Sequence, residues 1–265
     1  MPKKTKRTDL SALVEKYQGL SVVSEIERNL LSANRTKYPI QKLFLSDLFE
    51  EKNYHLDQYE GLKASLKQDG FLVPLIIVKR KDSNYEILNG VKRFLLGKEC
   101  GFLEIPCVLA DLSEERKHAY IIENIIQEGD NPLIKTHAFL TLKNKYHYSD
   151  EKIASIAKLS ITQVRNLQRL DSLPSFLKEG ILDFTLSYSE ARSLLNLPME
   201  KQKELFERIQ SGSLSVRDLE REKRTFLGNK RKRKVTLKKN KVTILFNTEE
   251  EAKKIFPQIV KSFSD

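Results

Sequence analysis

Apolar and polar residues are patterned in two registers along this chain, and the change of register divides it. Between Ile40 and Leu109, short apolar runs stand apart from one another: Ile40–Leu45, Leu72–Val78, Tyr85–Leu88 and Ile105–Leu109. Runs of roughly four to eight such residues, bounded by signals like Asp69-Gly70 and Asp82-Ser83-Asn84, predict strands. Tyr59, Leu62 and Leu66 are spaced for a helix over 58–68, and a second helix opens after Gly90 with VKRFLLGKEC and stops at Gly101. A helix over 114–126 closes this part. From Asn131 onward the expected elements are helical. Asn131 caps a helix to Tyr146 with Pro132 in its first position, and Leu133, His137, Leu140, Phe139 and Leu142 are its packing residues. Helices follow near 175–179, 187–196, 199–210 and 213–223. Period-two alternation returns at Val242, Ile244 and Phe246, with Val235–Leu237 as the pairing candidate. Thr248-x-x-Glu251 then opens a helix with Ala252, Ile255, Phe256, Ile259, Val260 and Phe263 on one stripe.

The stretch Tyr148–Pro174 reads as a helix-turn-helix. Ser149 caps a first helix whose first turn holds Asp150 and Glu151, the end where the helix dipole favours acids. Ile153, Ala154 and Ala157 share one side. Ser160-x-x-Gln163 is a capping box that restarts the helix after a turn of about three residues. Val164 and Leu167 are expected to face inward, with Ile161 just before them. Thr162, Arg165, Asn166 and Arg169 share the opposite face, at +3, +4 and +7 from Thr162, a polar, long-armed candidate DNA-contacting set. Arg bonds guanine edges, Asn bonds adenine edges, and both Thr and Arg reach phosphates. The alternative is two ordinary amphipathic helices with a solvated face.

At 265 residues, 40% hydrophobic and 31% charged, the chain has room for two or three small domains. The expected organisation is multidomain α+β. A basic arm (1–37) leads to an α/β domain (38–127), an all-α helix-turn-helix domain (128–224), a basic linker (225–240) and a small strand-helix unit (241–265). The net charge is +11. Ten Lys or Arg and no Asp or Glu lie between Lys223 and Lys241, so one stretch carries nearly all of it. Positive charge so concentrated fits a polyanion partner, nucleic acid first, or a solvated tether. Cys100 and Cys107 form no CxxC pair, and His55, His118, His137 and His147 are scattered, so no metal site is expected. No apolar run reaches the roughly 18 residues of a membrane span. MPKKTKRTDL lacks the apolar core of a signal peptide, so a cytoplasmic location is expected. About thirty residues cannot bury the tail stripe alone. A symmetric dimer through Ile255, Phe256, Ile259, Val260 and Phe263 is therefore expected, packing back onto the body being the alternative.

Asn89-Gly90-Val91-Lys92-Arg93 is the second chemical feature. A Gly at a strand-to-helix turn lets backbone amides approach a ligand, and the helix N-terminus with Lys92 and Arg93 favours an anion. It is neither a P-loop nor a GxGxxG, and a tight turn followed by two surface bases is the plain reading. Glu123-Asn124, near the end of the next helix, is either a second half of such a pocket or a polar helix end.

These segments together resemble the ParB family of chromosome and plasmid partition proteins. Asn89–Phe94 is similar to that family's GERR box, and Glu123-Asn124 with Asn131-Pro132 to its ENxxR…NP segment. Leu186–Pro198 and Leu214–Leu219 resemble the helices that complete its DNA-binding domain. The tail resembles its dimerisation domain, and Thr8–Val14 its short segment that contacts the partner ATPase. The resemblance implies a homodimer that binds a palindromic centromere-like site and spreads on DNA, gated by CTP with Mg2+, with a ParA-type ATPase as partner. It implies Thr162, Gln163, Arg165, Asn166 and Arg169 as DNA-contacting residues and Gly90, Lys92, Arg93, Glu123 and Asn124 as nucleotide-binding residues. The box departs from the family at Lys92 and Val91, which replace an arginine and an acid. Gln127 replaces the arginine after Glu123-Asn124, and 47–59 holds no clear counterpart of a Pro-Arg loop. Lys binds phosphate without the bidentate fork. CTP hydrolysis stays open. The rival readings are a helix-turn-helix repressor or nucleoid-occlusion protein, and a CTP hydrolase that uses DNA as a scaffold.

Overall fold

A computed structural model describes residues 35–128, 131–228, 234–238, 241–245, and positions 253 and 256. The chain divides into two compact units, one up to Thr185 and one from Leu186 on. The break therefore falls inside the stretch read from sequence as one helix-turn-helix domain, and the α/β part shares a unit with the helix-turn-helix.

The first unit begins with five strands: β1 (Thr36–Pro39), β2 (Leu43–Leu45), β3 (Leu75–Lys79), β4 (Tyr85–Asn89) and β5 (Glu104–Ala110). They form one mixed sheet in the order β1-β5-β3-β4-β2. Leu75, Ile76, Ile77 and Val78 of the central strand are all buried, which is why β3 reads as an unbroken apolar run. The single strand expected over Ile40–Leu45 is not formed. A 3-10 turn takes its first half, Ile40–Lys42, and only Leu43–Leu45 is a strand; β1, ahead of the turn, and β2 lie on opposite edges of the sheet, β1 antiparallel to β5 and β2 parallel to β4. Pro39 ends β1 on an edge, where its missing N–H disturbs no ladder, and the Ile40 amide donates to the Leu103 carbonyl at 2.9 Å instead. The strand expected from Leu72 begins only at Leu75; Leu72 and Val73 are exposed.

Three helices accompany the sheet: α1 (Glu60–Asp69), α2 (Val91–Glu99) and α3 (Glu114–Gln127). Gly70, at φ 70°, ends α1 as its Asp-Gly signal predicts. Ser113 caps α3, accepting from the Arg116 amide, with Glu114 and Glu115 in the first turn. Leu75, Ile77, Ile87, Leu96, Ile105, Ile121, Ile122 and Ile125 make the core between sheet and helices.

The helical part of this unit holds α4 (Pro132–Asn144), α5 (Asp150–Ala157), α6 (Ile161–Gln168) and α7 (Ser175–Leu182). The Asn131 side chain accepts from the Leu133 amide and donates to the Ile181 carbonyl, tying the start of α4 to α7. Leu133, Phe139 and Leu142 are buried with Ile153, Val164, Leu170 and Leu177. His137 turns away from that core, with Nε2 2.9 Å from the Asp47 carbonyl.

The second unit contains α8 (Tyr188–Leu194), α9 (Met199–Gln210), α10 (Val216–Gly228), β6 (Lys234–Lys238) and β7 (Lys241–Leu245). The Ser187-x-x-Glu190 capping box forms as expected. Arg208 grips Glu222 through both terminal guanidinium nitrogens, at 3.0 and 2.8 Å, joining α9 to α10. β6 and β7 pair antiparallel with Val235 opposite Ile244. The stretch read as a linker over 225–240 thus contains the end of α10 and a strand; no helix breaker occurs after Arg224 until Gly228. Position 256 has helical backbone and Phe256 is exposed. Ile255, Ile259, Val260 and Phe263, like the arm at 1–34, lie outside the described residues. Among the described residues, no helix is long and apolar enough to cross a membrane.

Candidate nucleic-acid interface and nucleotide junction

The turn between α5 and α6 is built from local hydrogen bonds. Ser149 accepts from the Lys152 amide at 3.2 Å. At the far end of α5, Lys158 adopts a left-handed conformation (φ 54°, ψ 38°). The Leu159 amide reaches back to the Ala154 carbonyl at 3.0 Å and the Lys158 amide to Ser155 at 3.4 Å, which is a Schellman ending. Ser160 then caps α6, accepting from the Gln163 amide at 3.2 Å while the Gln163 side-chain oxygen accepts from the Ser160 amide at 2.8 Å.

On α6, Val164 and Leu167 are buried as expected, whereas Ile161 just before them is exposed. As the first helical residue it lies ahead of the turn that packs. Thr162, Arg165 and Arg169 are exposed and Asn166 is half-buried, so four of the five candidate DNA residues share an open face. Gln163 is exposed too, but its side-chain oxygen is committed to the cap. Arg165 is anchored: its Nε donates to Asp150 Oδ2 at 2.8 Å, and Nη2 lies 3.9 Å from Glu151. The Asp150 side chain, only 9% exposed, also accepts from Lys143 Nζ at 2.8 Å and Gln168 Nε2 at 3.1 Å. The hydrogen bond from Arg165, then that from Lys143, holds its carboxyl far below the usual carboxylate range. From sequence, Asp150 is only an acid suited to a helix start. Its larger role depends on contacts with residues seven to eighteen positions away.

At the strand-to-helix junction, Gly90 has φ 92°, and a Cβ there would come within 2.4 Å of Leu75 Cδ2. Only glycine meets both demands. Lys92 pairs with Glu128 at 3.2 Å and stands over the Tyr59 ring. Arg93 turns toward the α1–β3 loop, donating to the carbonyls of Val73 and Pro74 at 2.5 and 2.8 Å. Burial makes its guanidinium less basic than usual. Asn124 donates to the Tyr120 carbonyl at 2.9 Å and accepts from Asn89 at 3.2 Å. Glu123 accepts from Lys158 Nζ at 2.7 Å. Gly90, Lys92 and Asn124 thus line one small cavity of about 10 Å³ with Asn89, Phe49 and Glu128. Arg93 and Glu123 are not on it; Glu123 instead ties α3 to the turn of the helix-turn-helix.

The geometry defines a class: a doubly capped helix-turn-helix in one compact unit with a mixed-sheet α/β domain that carries a strand–glycine–helix junction. A model of the ParB N-terminal domain matches residues 25–125, and one of the ParB HTH domain matches residues 128–227. The chain belongs to the ParB family of partition proteins. A probable chromosome-partitioning protein ParB of Neisseria meningitidis serogroup A is 33% identical over 173 residues, 65% of this chain and 60% of the relative. A nucleoid occlusion protein of Listeria innocua is 27% identical over 77% of this chain and 72% of its own. Among solved structures, C-terminally truncated ParB of Caulobacter crescentus complexed to the centromeric parS site is 23% identical, with a TM-score of 0.44, covering 72% of this chain and 99% of that one. The match spans about 60% of the length of the first curated relative.

Proposed function

We propose that this chain is a site-specific DNA-binding partition protein. As a homodimer it recognises a centromere-like, parS-type palindrome through α6, then clamps and spreads on DNA under the control of CTP with Mg2+. It works with a ParA-type ATPase in chromosome or plasmid segregation, on the nucleoid in the cytoplasm. The observation that carries this reading is the open face at α6, where Thr162, Arg165 and Asn166 stand on a helix capped at Ser160 and packed through Val164 and Leu167, and Arg169 opens the 3-10 turn that follows it. Lysines and arginines around that face supply salt-dependent phosphate affinity, while base edges supply specificity. The apolar tail residues Ile255, Phe256, Ile259, Val260 and Phe263 are the proposed dimer interface.

The junction suits a triphosphate in its donors: a glycine-opened helix N-terminus with Lys92 beside it and Arg93 one residue on. Its cavity is water-sized, so nucleotide entry requires Lys92 to leave Glu128 and the α1–β3 loop to release Arg93. A bound triphosphate supplies the negative charge that rewards both departures. Glu123 and Asn124, adjacent on α3, complete the proposed set. Asn124 faces the cavity, and Glu123 acts after release from Lys158.

Genomic occupancy profiling tests the reading. A partition protein gives kilobase-scale spreading around few sites; sharp promoter peaks indicate a repressor. The Listeria relative supports a second reading, nucleoid occlusion, which predicts many dispersed sites. Substituting Arg165 and Asn166 together should lower affinity for the enriched site far more than for unrelated duplex. Unchanged affinity for the site rejects α6 as the reading element. Phosphate release from CTP without cognate DNA, lost on Asn124→Ser, would favour the hydrolase.

A further inference from the structure

We infer that Asp150 is a specificity-determining residue: it holds Arg165 so that only the terminal edge of the guanidinium faces the DNA groove, which assigns guanine as the base this side chain reads. The inference rests on the DNA-binding reading above and adds to it a positioning residue and a base.

The argument starts from the guanidinium. It has five N–H donors in a rigid fork and no acceptor. Along its side edge, Nε is bonded to Asp150 Oδ2 at 2.8 Å, and Nη2 lies 3.9 Å from Glu151 Oε1. The end formed by Nη1 and the outer N–H of Nη2 remains, two near-parallel donors. Guanine presents two acceptors, O6 and N7, in the major groove. Adenine presents N7 beside a donor, so a two-donor edge is matched by guanine and mismatched by adenine.

The clamp is itself fixed. Asp150 is held by Lys143 from α4 and by Gln168 from the last turn of α6, so it does not follow the arginine if that side chain swings. Arg165 is 59% exposed and Asp150 only 9%, so the reading end is wet while the anchor is dry. A long, rotamer-rich side chain is thereby restricted before DNA arrives, which preserves affinity that would otherwise be lost on ordering it. The acid has a second effect. Its charge offsets that of Arg165, weakening sequence-independent attraction to phosphate and leaving the base contact as the main source of Arg165's contribution.

The test is selection from a randomised duplex library at moderate salt with full-length wild type, Asp150→Asn, Asp150→Ala and Arg165→Lys, each variant checked by thermal melting. The wild-type pool should show a guanine position whose enrichment falls on the order of tenfold in the Asp150→Ala and Arg165→Lys pools, while other positions keep theirs. Asp150→Asn keeps the shape and loses the charge. It should lose part of the guanine preference and bind unselected duplex more tightly. Equal guanine enrichment in the Asp150 and wild-type pools overturns the inference. So does an even loss at all positions with a lowered melting temperature, the mark of a residue that only holds α5 to α6. If the wild type enriches no sequence at all, the DNA-binding reading itself falls.

Discussion

Lys158 occupies a position where helices commonly carry glycine, and substituting it separates two energies that the native chain combines. Its left-handed backbone (φ 54°) costs an L-residue on the order of 1 kcal/mol relative to glycine. Against that stands its bond to Glu123, 2.7 Å long, with the carboxylate 8% and the lysine 60% exposed. A fully buried pair broken on one side costs several kcal/mol, but solvent around the lysine end screens this one, so about 1 kcal/mol is the appropriate figure. Lys158→Ala loses the pair and keeps the strain, an expected destabilisation of about 1 kcal/mol. Lys158→Gly loses the pair and relieves the strain, and should unfold close to wild type, about 1 kcal/mol above the alanine variant. In a Glu123→Gln background, Lys158→Ala should cost less than in the wild-type background, and the difference gives the pair as a coupling energy. Urea denaturation followed by circular dichroism measures all of these, with thermal shifts of about 2–4 °C per kcal/mol as a check. Alanine and glycine variants of equal stability would refute the strain argument. A Lys158→Ala cost unaffected by Glu123→Gln would refute the ion pair.

Gly90→Ala meets both a positive φ and the Leu75 side chain, so it should destabilise the α/β part by more than about 1 kcal/mol and weaken CTP binding measured by calorimetry; a neutral variant rejects the close-approach argument. Ser160→Ala breaks the capping box and should cost about 1 kcal/mol by urea unfolding, with the loss concentrated in amide exchange of the first turn of α6. Protection left intact there would show that the cap is dispensable. Burial, then Lys117, lowers the pKa of His118, whose Nε2 has no hydrogen-bond partner among the described residues. The unfolded chain therefore binds this proton more readily, so the contribution to stability is full above about pH 6.5 and declines as pH falls. His118→Gln should flatten the dependence of urea midpoint on pH below that value, and an unchanged slope would exclude His118 as its origin.

Interactions spanning three or four residues are legible in the sequence. Asn131 with Pro132, Ser160 with Gln163 and Ser187 with Glu190 each place a side chain against amides of the turn that follows, and each forms as expected. Gly70 and Gly90 mark element boundaries by a backbone conformation that other residues adopt only with strain. Ile40–Leu45, with four apolar residues of six, resembles one strand, but only Leu43–Leu45 finds a strand partner, β4, while Ile40–Lys42 makes a 3-10 turn. Leu72 and Val73 misled for the same reason, being apolar but beyond the paired register of β3.

By itself the sequence determined the periodicities, the caps, the glycine turns and the polar face of α6, because each depends on bonds within a helical turn or on one residue's allowed dihedral angles. Only the tertiary structure decided which charges meet. Arg165 is fifteen residues from Asp150, and Lys158 thirty-five from Glu123. Nothing in local propensity selects those partners over the many other acids of the chain. Packing of α5 against α6, and of α3 beside their turn, brings the groups within bonding distance and removes the water that would otherwise keep them indifferent to one another.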